Sequence, residues 1–520
     1  MMNVSKTIFS GSLILSLLGG QSIGQVSAAT SETKDVSDGT SRKLNVVLFT
    51  ADDLGPDGMG IGAFGSKMKG LTSNIDRVAN QGVKFVNAHV NSAICMPSRS
   101  IIATGRYGFN GGHHGFLYAQ EDVPTMMEAF HEGGYKTGVL GKVAHSSAKL
   151  STQWDYMYDY SDLGCGRSPS KYYERTKAFA ERCRKENQPF YFMINSHDPH
   201  RPFQQPDGEL KKGAEWPSKL YTPEEAFIPG FLPDIPQVRK EMSYYYNSVR
   251  RLDDTFGMVM KALKDAGVDK NTIVIFLSDN GIAMPFSKAN CYLKSTHTAL
   301  FCALPERFAP HEVEEMVSSI DLFPTIMDLT GLPMPPNVDG RSFLPLLKGE
   351  SQEGREQVFT QIDYINRPTP FPMRCVQDQE FGYVFNAWSN GVTKYRNANE
   401  GGVIRVMLAQ KEDNEMQDRV RLFRYREVEE FFDLKNDPDC LHNLIHDQKY
   451  KKQVEQYRNK LKMEMERAHD PLLIAFQNRD NKSKMDRIVQ DLYSNVLKFR
   501  KGDAKLYREK ISHKKKNSLE

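Results

Sequence analysis

The 520-residue chain has almost no surplus charge, since 68 Lys and Arg stand against 65 Asp and Glu for a formal net charge of +3. So small a balance gives no electrostatic case for a nucleic-acid or membrane-surface partner. Past the first thirty residues the sequence lacks any apolar run long enough to cross a bilayer. It also lacks internal repeats and low-complexity arrays, which excludes solenoid and propeller architectures. Cysteine is scarce and odd in number, seven in all, so at least one thiol stays outside any disulfide framework. What is present is ordinary for a folded protein: 39% hydrophobic and 26% charged residues. The length exceeds the size at which a single core stops growing, which predicts one large domain with a smaller companion.

The start of the chain reads as an export signal over residues 1–29: Lys6, an apolar stretch over 8–18, then Val26-Ser27-Ala28-Ala29 as a cleavage-like site. The expected protein is exported, periplasmic or secreted, with no membrane span. No cysteine directly follows the apolar stretch, so no lipid anchor is expected. Residues 30–43 read as a linker, 44–350 as the large domain and 351–475 as a smaller α+β domain. Residues 476–520 form a basic helical or flexible tail, its Lys and Arg crowded between Lys498 and Lys516.

Leu44-Asn45-Val46-Val47-Leu48-Phe49-Thr50 reads as a strand buried on both faces, and it ends in Asp52-Asp53. Similar apolar runs at 137–140, 190–195 and 273–277 alternate with helical stretches. That alternation predicts an α/β sheet with helices on both faces. Amphipathic patterns predict helices over 73–81, about 238–266 and about 450–468.

In open α/β sheets, ligands bind beyond the carboxyl ends of the strands. Four of the predicted strands deliver polar residues there: Asp52 and Asp53; Asp279 and Asn280; Lys142 and His145; His197, Asp198 and His200. Three carboxylates and an amide brought together repel unless a cation joins them. An oxygen-only set suits a hard divalent ion, Ca2+ first and Mg2+ second. The run Cys95-Met96-Pro97-Ser98-Arg99 opens a helix-like stretch halted by Gly105. Proline suits a first helical turn and free N–H groups there attract anions, so Cys95 is expected at an anion-binding helix start with Arg99 in reach.

The segment from Cys95 to Gly105 resembles the signature of the type I sulfatases. It occurs with the Asp52-Asp53 strand end, Gly141-Lys142 with a nearby histidine, Pro199-His200-Arg201-Pro202 and Ser278-Asp279-Asn280-Gly281, all in the family's order. The resemblance spans about 44–471. It implies an alkaline-phosphatase-like large domain, with a mixed, mostly parallel sheet between helices, followed by a smaller C-terminal α+β domain. It implies that a formylglycine-generating enzyme oxidises Cys95 to formylglycine. Asp52, Asp53, Asp279, Asn280 and the modified Cys95 would then hold one divalent cation, while Arg99, Lys142, His145, His200 and Lys288 surround the sulfate. In the implied reaction one hydroxyl of the hydrated aldehyde attacks sulfur and the second later expels sulfate, with His200 as the acid for the leaving atom. An unmodified cysteine has one nucleophilic atom and cannot complete that cycle.

Several stretches look most like the heparan N-sulfatase branch: Ser196-His197-Asp198-Pro199-His200-Arg201, residues 268–282, Pro372-Met373-Arg374-Cys375-Val376-Gln377, and His469-Asp470-Pro471. The branch implies a sulfated glycan substrate, N-sulfoglucosamine of heparan sulfate or heparin. Two departures bear on this. Lys288 stands where the branch carries arginine, and Gly141-Lys142-Val143-Ala144-His145 is one residue longer than the family's common spacing. An O-sulfatase acting on another sulfated polysaccharide, for example an algal one, is therefore the alternative. Phosphonate and phosphodiester hydrolases share the implied fold, but no second Asp/His metal cluster is evident in the sequence. A non-catalytic glycan-binding relative is the third reading. His113 and His114 are expected either to line the pocket or to sit in a solvated turn, His197 to orient its loop, and Asp198 to cap its own turn.

Overall fold

The computed structural model describes residues 43–56, 60–304, 306–365, 369–396 and 402–494. The expected export signal, nearly all of the linker and the tail beyond residue 494 lie outside the described residues.

The main sheet contains β1 (Asn45–Asp52), β2 (Val83–His89), β3 (Lys136–Leu140), β4 (Tyr156–Tyr158), β5 (Phe190–Pro199), β6 (Thr272–Ser278), β7 (His297–Ala303), β8 (His311–Val313) and β9 (Val317–Ser318). Its order is β4-β3-β5-β1-β6-β7-β2-β8, with β9 also paired to β2. β4, β3, β5, β1 and β6 run parallel, and only β7 is antiparallel to its neighbours. The predicted mixed, mostly parallel sheet is therefore the observed one. The four strands singled out in the sequence are contiguous in it, so their carboxyl ends lie side by side.

Every residue of β1 is buried, and alternate side chains enter different cores. Val47, Phe49 and Ala51 pack with Phe192, Ile194, Val274 and Phe276 on one face; Val46 and Leu48 pack with Tyr191, Met193, Ile273 and Ile275 on the other. Helices cover both faces, as the period-two side-chain geometry requires of a strand without a solvent side. The first face is covered by α4 (Pro169–Lys185), through Tyr172 and Phe179, and by α5 (Pro236–Asp265), through Val238, Met242, Tyr245 and Val249. The second is covered by α3 (Met126–Glu132) and α6 (Leu322–Thr330). Preceding these in the chain are α1 (Ser73–Ala79) and α2 (Cys95–Thr104).

A second sheet, β10 (Val358–Tyr364), β11 (Pro370–Gln377), β12 (Phe381–Asn386) and β13 (Glu429–Asp433), is antiparallel in sequence order. Tyr383, Phe385 and Phe431 share a core with Val454, Tyr457 and Leu461 of α7 (Lys451–Arg467). The motifs around Arg374 and Asp470 meet here. The fully buried Arg374 guanidinium pairs with Asp470 and donates to Asp363 Oδ1 at 2.9 Å, while Asp363 Oδ2 lies 3.1 Å from His114 Nδ1. The arginine and Asp470 that mark these motifs are thus spent on a buried ion network. None of the seven cysteines is bridged.

Candidate active site

The site is assembled at the carboxyl end of the main sheet. Asp52 ends β1, and Asp53 follows with φ 71°, the left-handed region that Asp tolerates better than most residues. That turn aims the two carboxylates differently, and Asp53 N–H donates to Asp279 Oδ1 at 3.1 Å, locking β1 to the end of β6. Gly141 and Lys142 are also left-handed, with φ 66° and 47°. A side chain at Gly141 would stand 2.4 Å from the Asn195 carbonyl, so glycine permits the sharp turn that brings Lys142 back over β1.

Cys95 is the first residue of α2, and Gly105 ends that helix at φ 63°. Arg99, one turn on, shares its face. Arg99 Nε donates to Asn195 Oδ1 at 3.2 Å and its Nη2 to Thr50 Oγ1 at 3.4 Å, while Nη1 pairs with Asp279. Lys142 pairs with Asp52, and Lys288 pairs with Asp53 while donating to Cys95 Sγ at 2.9 Å. Three buried carboxylates thus face three cationic side chains. Their charges cancel, and a divalent cation would leave the site positive toward an anionic ester.

The electrostatics follow from this packing. Burial disfavours the Asp52 anion, but Lys142, His200, Arg99 and Lys288 together outweigh it and hold the carboxyl well below its ordinary range. Burial, aided by Asp52 and Asp53, pushes Asp279 up against the opposing pull of Arg99. Burial also pushes the Cys95 thiol up to about 12; the three carboxylates add to the shift and Lys288 opposes it. The thiol is therefore protonated at neutral pH and is a poor nucleophile as it stands.

Asp52, Asp53, Cys95 and His200 each offer a ligand atom, and these atoms lie within 4.8 Å of one another. Buried Asp52 Oδ1, Asp53 Oδ2 and Asn280 Oδ1 accept no hydrogen bond. Orphaned acceptors of this kind are costly unless a cation or donor meets them, so the residues fit a hard divalent ion. Asn280 Nδ2 donates to Asp53 Oδ1 at 2.7 Å. Asp279 also meets Arg99 and Asp53 N–H, and His200 stands beside the carboxylates with Nε2 3.8 Å from Asp53 Oδ2.

His145 lies in the single helical turn Val143–Ser146, its ring against Phe116. Burial, reinforced by Lys142 and Arg99, keeps it well below the usual histidine range and hence neutral. His197 is buried against Tyr160. His113 is buried and His114 is paired with Asp363, so neither occupies a solvated turn. Asp198 does not cap its own turn; Arg167 and Arg251 grip its carboxylate. Those two arginines and Asn195 are the supporting residues that the sequence reading missed. Asn195, the last residue of an apolar run, carried the same strand-end signal as Asp52; the arginines carried none.

Residues 44–332 match the Sulfatase family model, and residues 283–385 match the model described as N-sulphoglucosamine sulphohydrolase, C-terminal. Human N-sulphoglucosamine sulphohydrolase is 28% identical over 474 residues, covering 84% of this chain and 92% of that protein. An ulvan-active sulfatase of Formosa agariphila is 27% identical over 465 residues, covering 86% of each. Among solved structures, a 2-O GAG sulfatase superposes with a TM-score of 0.61 at 21% identity, covering 82% of this chain and 93% of its own. The phosphonate monoester hydrolase of Agrobacterium radiobacter superposes with a TM-score of 0.58 at 19% identity, covering 81% and 95%; at such identities the likeness is one of fold. The family match contains the ends of β1, β3, β5 and β6, the whole of α2 and the Lys288 loop, and on that span the chain belongs to the sulfatase family of hydrolases.

Proposed function

We propose that this sulfatase removes sulfate from a sulfated glycan, with N-sulfoglucosamine of heparan sulfate or heparin as the leading substrate. The observation that carries the reaction is the surroundings of Cys95: a helix N-terminus, Lys288 at 2.9 Å and a cation-fitting cluster that includes its own sulfur atom. An unmodified cysteine has a single nucleophilic atom and cannot both attack sulfur and then expel sulfate, which supports oxidation of Cys95 to formylglycine by an activating enzyme. The hydrated aldehyde would supply an attacking hydroxyl, and a bound Ca2+, or Mg2+ in second place, would polarise the sulfate. Asp52, Asp53, Asp279, Asn280 and the modified Cys95 would hold the ion. Arg99, Lys142 and Lys288 balance charge on the transferring group, and they are fixed in advance by their carboxylate partners. His200 holds the proton for the leaving oxygen or nitrogen, and neutral His145 contributes a hydrogen bond without adding charge. The export-type start of the chain fits a periplasmic or secreted enzyme that meets glycans outside the cell.

The N-sulfoglucosamine reading is supported by the match over 283–385, which contains both Lys288 and Arg374. An O-sulfatase acting on an algal-type polysaccharide is favoured instead by Lys288, whose point charge cannot reproduce an arginine's planar fork, and by the comparable likeness to the ulvan-active enzyme. Sulfate release from N-sulfated and O-sulfated glucosamine by activated protein separates the two. Release from the O-sulfated sugars alone would overturn the N-sulfatase reading and leave the sulfatase standing. Cys95→Ala is expected to lower turnover by roughly 10³-fold or more, the scale of losing a nucleophile. Robust activity from that variant would defeat the mechanism.

A further inference from the structure

Asp198 is fully buried at the end of β5, yet two arginines share its one carboxylate. Arg251, on α5 and also fully buried, donates Nε to Oδ2 at 2.7 Å and Nη2 to Oδ1 at 3.0 Å. Arg167, just before α4, donates Nε to Oδ1 at 3.1 Å. One arginine would neutralise the aspartate, so the second calls for another explanation. Arg167 extends its Nη2 to the backbone carbonyl of His200 at 2.7 Å, joining the gripped carboxylate to the residue two positions on.

The His200 ring is set from its other side. Its Nδ1 lies 2.7 Å from the Arg201 carbonyl, which can only accept, so Nδ1 carries a proton and Nε2 is the atom turned toward Asp53. In this orientation Nε2 is the ring atom that faces the cleft, so a proton held there is the one a leaving atom can take. Giving that proton to a leaving oxygen or nitrogen returns the ring to the neutral Nδ1–H form, and water restores the proton afterwards. The rest of the loop has its own anchors: Gln204 N–H donates to Ser248 Oγ at 2.9 Å and Asn247 Nδ2 to the Gln204 carbonyl at 2.9 Å. The path of the loop beyond His200 therefore does not depend on Arg167, whereas the His200 carbonyl is held by it directly.

We propose that Arg167 and Arg251, acting through Asp198, are positioning residues that aim His200 Nε2 at the leaving atom. The inference rests on His200 being the acid. Formylglycine-bearing wild type, Arg167→Gln, Arg167→Lys and His200→Ala are compared on whichever of glucosamine N-sulfate and glucosamine 6-sulfate the wild type hydrolyses, and on 4-nitrophenyl sulfate, whose phenolate leaves without a proton. Arg167→Gln is expected to lower kcat on the sugar at least tenfold, with KM within twofold and 4-nitrophenyl sulfate turnover within twofold. Arg167→Lys keeps the buried charge but cannot bridge both partners, so it should show the same selective loss, and it guards against a folding defect in the glutamine variant. Equal losses on both substrates, or none on the sugar, in either Arg167 variant would overturn the proposal. If His200→Ala itself shows no selective loss, the assignment of His200 as the acid is what fails.

Discussion

A buried titratable side chain moves stability with pH, and His113 is the clearest case outside the site. Burial, together with neighbouring His114, lowers its pKa to about 4, whereas an unfolded histidine titrates near 6.5. Between those values the unfolded chain binds the proton and the folded one does not. Stability is accordingly complete above about pH 6.5 and is lost as pH falls toward 4. His113 alone should cost about 2 kcal/mol by pH 5 relative to pH 7.5. His113→Gln should lose correspondingly less between these pH values than wild type in urea unfolding; parallel pH profiles would show that the ring is not desolvated. His145 and His197, also lowered by burial, act in the same direction.

At the scale of elements, the candidate cation ligands come from the ends of β1 and β6, paired neighbours in the sheet, and from the start of α2, which no main-chain ladder joins to them. A bound ion would tie them, so it should stabilise the fold as well as serve the reaction. Adding Ca2+ to chelator-stripped protein is expected to raise the melting temperature, the gain approaching about 2.7 kcal/mol at a hundredfold excess over Kd. Mg2+ should give a smaller rise, and no shift with either ion would remove the metal assignment. These strand ends were legible in the sequence because each parallel strand is a continuous apolar run and the polar residue that stops it is conspicuous. β2 was passed over because its period-two pattern, Val83-Lys84-Phe85, breaks down in Asn87-Ala88-His89. β7 begins with the polar His297 and Thr298, so it lacks a continuous apolar run at its start although Thr298 is buried. The Arg167–Asp198–Arg251 grip joins residues 31 and 53 positions from Asp198, and no local pattern announces such a meeting.

For the whole molecule, the second sheet does more than extend the chain. Arg426 pairs with Asn290, Tyr395 OH donates to the Ala289 carbonyl at 2.6 Å and Tyr292 OH lies 3.0 Å from Glu430 Oε1, so the loop carrying Lys288 is braced from the second sheet's side. Arg374 is central to that sheet's own ion network. Arg374→Ala would leave Asp470 as a buried carboxylate without its cation and Asp363 with only His114 and Tyr493 beside it, a defect on the order of 3–5 kcal/mol. Chemical unfolding should report that loss, and a change under 1 kcal/mol would mean that the network is dispensable. The sequence showed Arg374 and Asp470 only as parts of separate motifs. Their pairing across 96 positions became visible with the coordinates.

Cys95 has 3% of its surface exposed, is fixed in the first turn of a helix and is covered by Lys288. An enzyme that oxidises a side chain must first reach it, and here folding closes the route. The maturation proposed for Cys95 and the packing of α2 are consequently rival events in time. A chain that folds first is kept in its thiol form by its own stability, so the active fraction of a preparation should depend on the order of these two steps more than on how much protein is made.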